Sequence, residues 1–262
     1  MDLRVERLEY SYPGSGIAIF EGLSLTIPKA QIFSILGPNG VGKSTLLRTL
    51  AGLLKPNSGL IWLGEQSLLD LSPAQRARKI AFVSQSEAPA FSFSVLDVVL
   101  TGYAAKLGFS GRPGNVEQDG AMAALSSLGI EGMAAQSYAR LSGGQQQLVR
   151  IARAMVQQCP VILLDEPTAH LDLAYQLQVL KALLKLRDQG HTVVMTTHSP
   201  DHAHFCGGHV LMLGREQQQQ GSTSELIHAD VLRQIYQIEL EVFQSPRGSL
   251  VCVPDYQSLV VD

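Results

Sequence analysis

The stretch GPNGVGKST at positions 37–45 constrains this chain more than any other. It matches GxxxxGK[ST], in which glycines let the backbone turn tightly around a phosphate while the amides point inward. Lys43 would reach the β- and γ-phosphates, and the Ser44 hydroxyl would ligate Mg²⁺. An apolar strand (31–36) precedes the loop, and residues 43–54 follow it with leucines on one helical face. This order of strand, loop and helix predicts a phosphate-binding loop.

The stretch VILLDEP at 161–167 supplies the expected companion to that loop. A buried apolar strand ends in two carboxylates at its carboxyl edge, where ligands bind in open α/β sheets. Asp165 would hold Mg²⁺ through its water shell, and Glu166 would orient and polarise an attacking water as a general base.

Two further polar residues follow apolar strands. Gln85 comes just after IAFVS, and His198 comes just after TVVMTT (192–197). Each alone is more often an ordinary residue at a strand end. Because both would emerge at the same sheet edge as Asp165, we expect them to sense the γ-phosphate.

The stretch LSGGQ at 141–145 opens a second candidate anion site, a Ser-Gly-Gly turn at the start of a helix. The helix is predicted by an apolar face formed by Leu148, Ile151, Ala152 and Met155. It carries no lysine, and taken alone it would be a helix cap.

The order of elements along the chain predicts an α/β protein. Alternating residues at 2–10 predict a half-exposed strand, and the run 17–27 predicts one or two more strands. The apolar runs at 80–83, 161–164 and 192–197 predict parallel strands buried on both faces. Residues 86–140 are rich in Ala, Gly and Ser, with helical stretches at 95–107 and 119–130. With the helix after LSGGQ they predict an inserted helical subdomain over 86–158. The glutamine run 217–220 is expected in a hairpin or loop, and 230–262 form a short C-terminal extension.

Composition excludes several classes of protein. The formal net charge of −3 argues against a broad basic face for nucleic acid, so no nucleic-acid partner is expected. No apolar run approaches the roughly 18–20 residues that span a bilayer. If the protein works at a membrane, a separate partner must therefore supply the spanning helices. Cys159, Cys206 and Cys252 are far apart, which fits a reducing compartment rather than a zinc or disulfide site.

These motifs, with the HLD at 170–172, resemble in order and spacing the ATP-binding subunit of an ABC transporter. The resemblance implies one domain over 1–262 with the fold of the P-loop NTPases. It also implies a mainly parallel core sheet, an antiparallel β subdomain and an inserted helical subdomain. Two copies would pack head to tail, with ATP and Mg²⁺ as cofactors and each LSGGQ capping the γ-phosphate bound by the other copy.

The resemblance assigns roles residue by residue. Glu166, His198 and Gln85 would be catalytic, and Ser44, Gln85 and Asp165 would hold the metal. Tyr12 would stack on adenine, with Tyr10 as the fallback. The remaining nucleotide contacts would be Gly37, Asn39, Gly40, Gly42, Lys43, Ser44 and Thr45, with Ser142, Gly143, Gly144, Gln145 and Asp172 acting across the dimer. His170 is not expected to ligate a metal.

The phrases ARKIAFVSQ, FSVLDVVLTGY, DEPTAHLDLAYQ and TTHSPDHA resemble ATPases of importers for iron–siderophore, haem, cobalamin or related chelates. The ATPases of molybdate and tungstate importers in the same branch have similar sequences in these stretches. The implied partners are membrane permease subunits and, indirectly, a substrate-binding protein, at the cytoplasmic face of the inner membrane. Phe91, Phe93, Val95 and Leu96 would either receive the permease's coupling helix or form the core of the helical subdomain.

Rival functions come from other classes of ABC-type ATPase. A soluble ATPase of iron–sulfur cluster assembly has a similar length and motif set. Members acting on DNA or ribosomes carry long coiled coils or two cassettes, which this chain lacks. A catalytically silent module is disfavoured by the presence of Lys43, Asp165, Glu166 and His198.

Overall fold

The computed structural model describes residues 2–85, 93–108, 111–215 and 217–255. The strands are β1 (Leu3–Ser11), β2 (Ala18–Ile27), β3 (Ile32–Leu36), β4 (Ser58–Leu63), β5 (Gln66–Ser67), β6 (Ile80–Val83), β7 (Val161–Leu164), β8 (Thr192–Thr197), β9 (His209–Leu213), β10 (Gln218–Ser222), β11 (Leu240–Gln244) and β12 (Leu250–Pro254). The helices are α1 (Lys43–Leu50), α2 (Pro73–Ala77), α3 (Val95–Leu100), α4 (Ala104–Leu107), α5 (Asn115–Ser127), α6 (Gly143–Gln157), α7 (Leu173–Asp188), α8 (Pro200–Cys206), α9 (Thr223–Leu226) and α10 (Ala229–Tyr236).

The central sheet has the strand order β10-β9-β3-β8-β7-β6. The strands from β9 to β6 pair in parallel, and β10 joins β9 as an antiparallel edge. Every residue of β3, β7 and β8 is buried, which explains why none of these strands carries a charged residue. The predicted parallel strands are confirmed, but β6 lies at the edge of the sheet and its Phe82 is only partly buried. The glutamine run enters the β9–β10 hairpin.

A second, antiparallel sheet has the order β2-β1-β4-β5. Alternate residues of β1 point inward and form one apolar cluster with β3 and α1. This sheet therefore forms a layer beside the phosphate loop, with Tyr12 following the end of β1. Residues 18–27 make one continuous strand, β2.

Helices α3 to α6 lie between β6 and β7 and share an apolar core with the central sheet. The predicted helix at 95–107 is interrupted by a 3₁₀ turn, Thr101–Tyr103. Gly102 in that turn packs directly on the backbone carbonyl of Arg153 in α6, an approach that a side chain would block. The helix predicted at 119–130 runs instead from Asn115 to Ser127, ahead of a left-handed Gly129 (φ +70°).

The C-terminal elements pack against the end of β3, directly before the phosphate loop. Val231, Leu232 and Ile235 of α10 share an apolar cluster with Leu36, the last residue of β3, and with Ala203 of α8. The hairpin β11–β12 adds Leu240 and Leu250 to this cluster. Across the described ranges, none of the helices combines the length and the apolar character needed to cross a membrane.

Candidate active site

The phosphate-binding loop lies between β3 and α1, as its sequence predicts. A Cβ at Gly37 would collide with the backbone carbonyl oxygen of Leu213. Gly42 has φ +105°, and a Cβ there would lie 2.6 Å from Ile19. Only glycine fits either position, because one is too crowded for a side chain and the other needs left-handed backbone.

Lys43 spans this loop from the first turn of α1. Its Nζ donates to the carbonyl oxygens of Gly37 at 2.9 Å and of Pro38 at 3.0 Å, and it lies 3.5 Å from Oε1 of Glu166. Burial lowers the pKa of this ammonium, and the carboxylates of Glu166 and Asp165 oppose the shift. The site thus holds a cation with little water around it at the mouth of the loop.

Asp165 is buried where β7 ends and joins two other elements. Its Oδ1 accepts hydrogen bonds from Ser44 Oγ of α1 at 2.7 Å and from Thr196 Oγ1 of β8 at 2.8 Å. Since the Ser44 hydroxyl donates its hydrogen bond to Asp165, the lone pairs of Ser44 Oγ remain free to coordinate a cation. A hydroxyl beside a carboxylate is the hard oxygen donor set that Mg²⁺ prefers, so these two residues fit the ion.

Glu166 lies between the Lys43 ammonium and the His198 imidazole. Its Oε1 is 3.5 Å from Lys43 Nζ, and its Oε2 is 3.4 Å from Nδ1 of His198. Its backbone adopts φ +44°, which is unusual for a glutamate, and its N–H donates to Thr196 Oγ1 at 2.7 Å. A carboxylate held in this way next to a phosphate loop can orient and deprotonate a water.

A cleft of about 520 Å³ brings Gln85 and His198 together with Glu166. Its lining also includes Asn39 and Gly40 of the phosphate loop. A smaller hollow of about 200 Å³ shares Asn39, Gly40 and Glu166 and continues along the remaining loop residues Gly42, Lys43, Ser44 and Thr45 to Tyr12. The predicted sensor residues and most of the predicted phosphate-loop residues therefore line two adjoining spaces, whereas Gly37 and Asp165 line neither, and Asp165 is joined to the hollow through Ser44.

Tyr12 and Tyr10 differ sharply in exposure. The Tyr12 side chain is 40% exposed, and its hydroxyl shares a 2.9 Å hydrogen bond with Thr45 Oγ1. Tyr10 is 5% exposed and packs in the core, with its ring edge-to-face against Tyr12. Tyr12 can therefore offer a ring to a base, and the fallback Tyr10 cannot.

Residues 142–145 lie elsewhere on the same chain. Ser142 caps α6: its Oγ accepts the N–H of Gln145, and Gln145 Oε1 accepts the N–H of Ser142 at 2.9 Å. Ser142 and Gly143 are exposed, and Gly144 packs against the ring of Tyr175. Among the residues that the structure describes, none of these four lines the cleft or the hollow.

Asp172 is the N-cap of α7, and its Oδ1 accepts the N–H of Tyr175 at 2.9 Å. Tyr175 therefore contacts Asp172 through its backbone and Gly144 through its ring. The two stretches predicted to face a second copy are joined by this one residue, which the sequence analysis missed.

Sequence reasoning also missed three other residues. Thr196 holds both Asp165 and Glu166, and Arg150 of α6 donates to the carbonyl of Gln85 at 3.3 Å. Tyr236 donates to the carbonyl of His198. Two of them had a signal in the sequence. Thr196 is a threonine inside an apolar strand, and Arg150 is an arginine on the apolar side of a helix.

The predicted groove for a permease helix is only partly built from the expected residues. Val95 is fully buried in the core and Leu96 packs partly against it, whereas Phe93 is half-exposed. Phe91 lies outside the described residues. An apolar groove of about 780 Å³ lies instead along α3 and α4, lined by Ala74, Arg78, Asp97, Leu100, Thr101, Ala104, Ala105, Leu107, Gly108, Gly111 and Pro113.

Comparison with known proteins agrees with this geometry. A family model described as ABC transporter matches residues 20–169. The molybdate import ATP-binding protein MolC of Haemophilus influenzae is 35% identical over 239 residues, covering 91% of this chain and 89% of MolC. The iron(3+)-hydroxamate import ATP-binding protein FhuC of Bacillus subtilis is 34% identical over 232 residues, covering 87% of this chain and 86% of FhuC. A solved metal-chelate type ABC transporter in an inward-facing conformation superposes with a TM-score of 0.86 at 34% identity, covering 98% of both chains.

Proposed function

The chain belongs to the ATP-binding subunits of ABC transporters, and from this membership we propose that it hydrolyses ATP to power uptake of a metal chelate through a separate membrane permease. Iron–siderophore, haem and cobalamin complexes are the chelates in question. The observation that carries the proposal is the Glu166 carboxylate, 3.5 Å from Lys43 and 3.4 Å from His198 at the phosphate loop.

The proposed reaction assigns a role to each of this chain's own groups. The loop amides and Lys43 bind the phosphates, and Tyr12 stacks on the adenine. Glu166 orients the attacking water and accepts its proton, while Gln85 and His198 contact the γ-phosphate side. Ser44, Asp165 and Gln85 would hold Mg²⁺, which when bound neutralises phosphate charge.

We propose that two copies pack head to tail over two nucleotides. Ser142 and Gly143 are exposed at the start of a helix of 15 residues. Because the N-terminus of a helix favours anions, this end of α6 can cap a phosphate bound by the other copy. Next to Asp172, Leu173 is 83% exposed and Leu177 is 44% exposed. An apolar strip beside this second anion site supports a protein interface there.

The proposed permease contact lies on the helical subdomain (86–158) of a single ATPase domain spanning 1–262, with 230–262 as its extension. The groove along α3 and α4 has the apolar lining that a partner helix needs. Arg150 links α6 to Gln85, so a movement of this subdomain would reach the cleft. The protein would then work at the cytoplasmic face of the membrane, with a substrate-binding protein as an indirect partner.

A second cargo class is favoured by one specific observation. The chain is 35% identical to the molybdate protein MolC and 34% identical to the iron-hydroxamate protein FhuC. Molybdate or tungstate uptake is therefore the alternative cargo, and a soluble role in iron–sulfur cluster assembly is the alternative outside transport.

Affinity purification from native membranes with a non-hydrolysable ATP analogue tests the proposal. A polytopic permease in equal amount, and ATP-dependent accumulation of ⁵⁵Fe-siderophore in vesicles holding the purified complex, would support it. A Lys43→Ala complex controls for passive uptake. Accumulation of molybdate alone would select the alternative cargo, and a soluble scaffold without any permease would overturn the transport role.

A further inference from the structure

Tyr236, the last residue of α10, reaches the loop that carries His198. Its hydroxyl donates a 2.9 Å hydrogen bond to the backbone carbonyl oxygen of His198. The N–H of the same peptide group, on Ser199, donates to Thr197 Oγ1 at 3.0 Å. One end of this peptide group is thus held by β8 and the other by the C-terminal helix.

The carbonyl of His198 needs an external donor because of the sequence around it. Pro200 is the first residue of α8, and it confines Ser199 to extended backbone (φ −103°, ψ 107°). The backbone bond at the start of this helix runs from Ala203 N to Ser199 O at 3.3 Å, one residue beyond His198. The Tyr236 hydroxyl supplies the donor that the helix does not.

Tyr236 is itself firmly held. Its helix is packed through Leu232 and Ile235 onto the cluster that contains Leu36, directly before the phosphate loop. Burial raises the pKa of the Tyr236 hydroxyl, and the nearby Cys252, Glu166 and Asp201 act in the same direction. The hydroxyl therefore stays protonated and remains a donor throughout the physiological pH range.

We propose that Tyr236 is a positioning residue for His198, so that the C-terminal extension takes part in setting the histidine that faces Glu166. This inference rests on the proposed function, in which His198 acts on the bound nucleotide. Without the Tyr236 hydroxyl, the His198–Ser199 peptide group is held at one end only. Its rotation would move the imidazole from its place 3.4 Å from Glu166.

The test is Tyr236→Phe, which removes the hydroxyl and keeps the ring. We expect kcat for ATP hydrolysis by the full chain to fall about three- to tenfold, the scale of one hydrogen bond, with KM within about twofold. Tyr103→Phe is the matched control, because Tyr103 is also a buried tyrosine and lies in the helical subdomain. Its kcat should equal that of the unaltered protein. A thermal melt of each variant shows that the fold is intact.

His198→Ala and the double variant separate the possible failures. The inference holds if Tyr236→Phe slows the unaltered protein and adds nothing to the residual rate of His198→Ala. It is overturned if Tyr236→Phe matches Tyr103→Phe, if it slows His198→Ala by the same factor, or if KM rises while kcat stays constant. If the unaltered chain does not hydrolyse ATP, the proposed function fails. If it does and His198→Ala is fully active, His198 has no role in hydrolysis and the inference is overturned while the proposed function stands.

Discussion

The hydroxyl of Thr196 accepts the backbone N–H of Glu166 at 2.7 Å, and the same hydroxyl donates to Asp165 Oδ1 at 2.8 Å. A single buried oxygen therefore fixes both neighbouring carboxylate residues, one through its side chain and the other through its backbone. Glu166 has φ +44°, a conformation that persists only when its surroundings impose it. Thr196 is thus the support on which the proposed general base depends.

Thr196→Val should lower the free energy of unfolding by about 1–3 kcal/mol, because it leaves a buried N–H without a partner. ATP hydrolysis should fall roughly five- to thirtyfold, which corresponds to about 1–2 kcal/mol of lost positioning. Urea denaturation and steady-state kinetics measure the two effects. Thr49→Val is the control, since Thr49 is also buried and donates only to the Thr45 carbonyl of its own helix. Equal hydrolysis rates for the two variants would show that Thr196 does not position Glu166.

Glu166→Gln should bind ATP normally and accumulate as a dimer, with hydrolysis lowered about 10²- to 10⁴-fold. The amide keeps the size of the carboxylate but cannot accept the proton of the attacking water. Single-turnover hydrolysis and light scattering with ATP measure the two effects. Glu6→Gln, at an exposed position on β1, controls for the loss of one carboxylate. Normal turnover of Glu166→Gln would remove Glu166 from its proposed role.

Ser142→Arg should prevent dimer formation while the monomer still binds ATP, because Ser142 is exposed and lies outside its own chain's cleft. The substitution is best made in the Glu166→Gln background, where ATP is not consumed. Light scattering reports the dimer, and calorimetry reports nucleotide binding.

The control for Ser142→Arg is Ser222→Arg, since Ser222 caps α9 with the same reciprocal bonds. Both variants lose a helix cap. Only a loss of dimer formation that is specific to Ser142→Arg therefore reports on the interface. Loss of ATP binding by the Ser142→Arg monomer would mean that LSGGQ acts on its own chain's nucleotide.

Tyr12→Ala should weaken ATP binding about 5- to 150-fold, since stacking on a base is worth about 1–3 kcal/mol. Tyr12→Phe keeps the ring and loses only the hydrogen bond to Thr45, so it should bind ATP within about fivefold of the unaltered protein. Tripolyphosphate, which has no base, provides the comparison in calorimetry. If Tyr12→Ala weakens the binding of tripolyphosphate as much as the binding of ATP, the ring supports the phosphate loop and does not stack on adenine.

The parts of the fold that local patterns determine were predictable from the sequence. The strands β6 and β7 were predicted to the residue, because a run of four apolar residues suits a short strand of a parallel sheet. The predicted ends of the helices were less accurate. Residues 43–54 were predicted as helical, but α1 ends at Leu50 because left-handed Gly52 (φ +68°) follows it.

The motif residues were predictable because each motif is contiguous, whereas their supports were not. Thr196 contacts Glu166 across 30 residues, and Tyr236 contacts His198 across 38. Such contacts depend on which strands and helices become neighbours, and neither a period nor a spacing in one sequence encodes that. Tyr175 was missed for the same reason, since its ring meets Gly144 of a different helix.

His202 gives the candidate site a pH-dependent contribution to stability. Its ring is 13% exposed, its Nδ1 lies 3.1 Å from Thr168 Oγ1, and its Nε2 lies 3.9 Å from Asp201 Oδ2. Burial lowers the pKa of His202 below its ordinary value of 6.5, His198 acts in the same direction, and Asp201 opposes both. The unfolded chain therefore binds a proton at this residue before the folded chain does. Stability should fall as the pH drops below about 6.5 and continue to fall until the folded-state pKa is passed.

His202→Gln should therefore reduce the loss of unfolding free energy between pH 7 and pH 5, because the amide binds no proton in either state. Urea denaturation at half-unit pH steps measures this slope. His228→Gln, at an exposed histidine outside the cleft, controls for the removal of a histidine as such. A slope for His202→Gln as steep as that of His228→Gln would show that His202 is not the group that resists protonation in the folded protein.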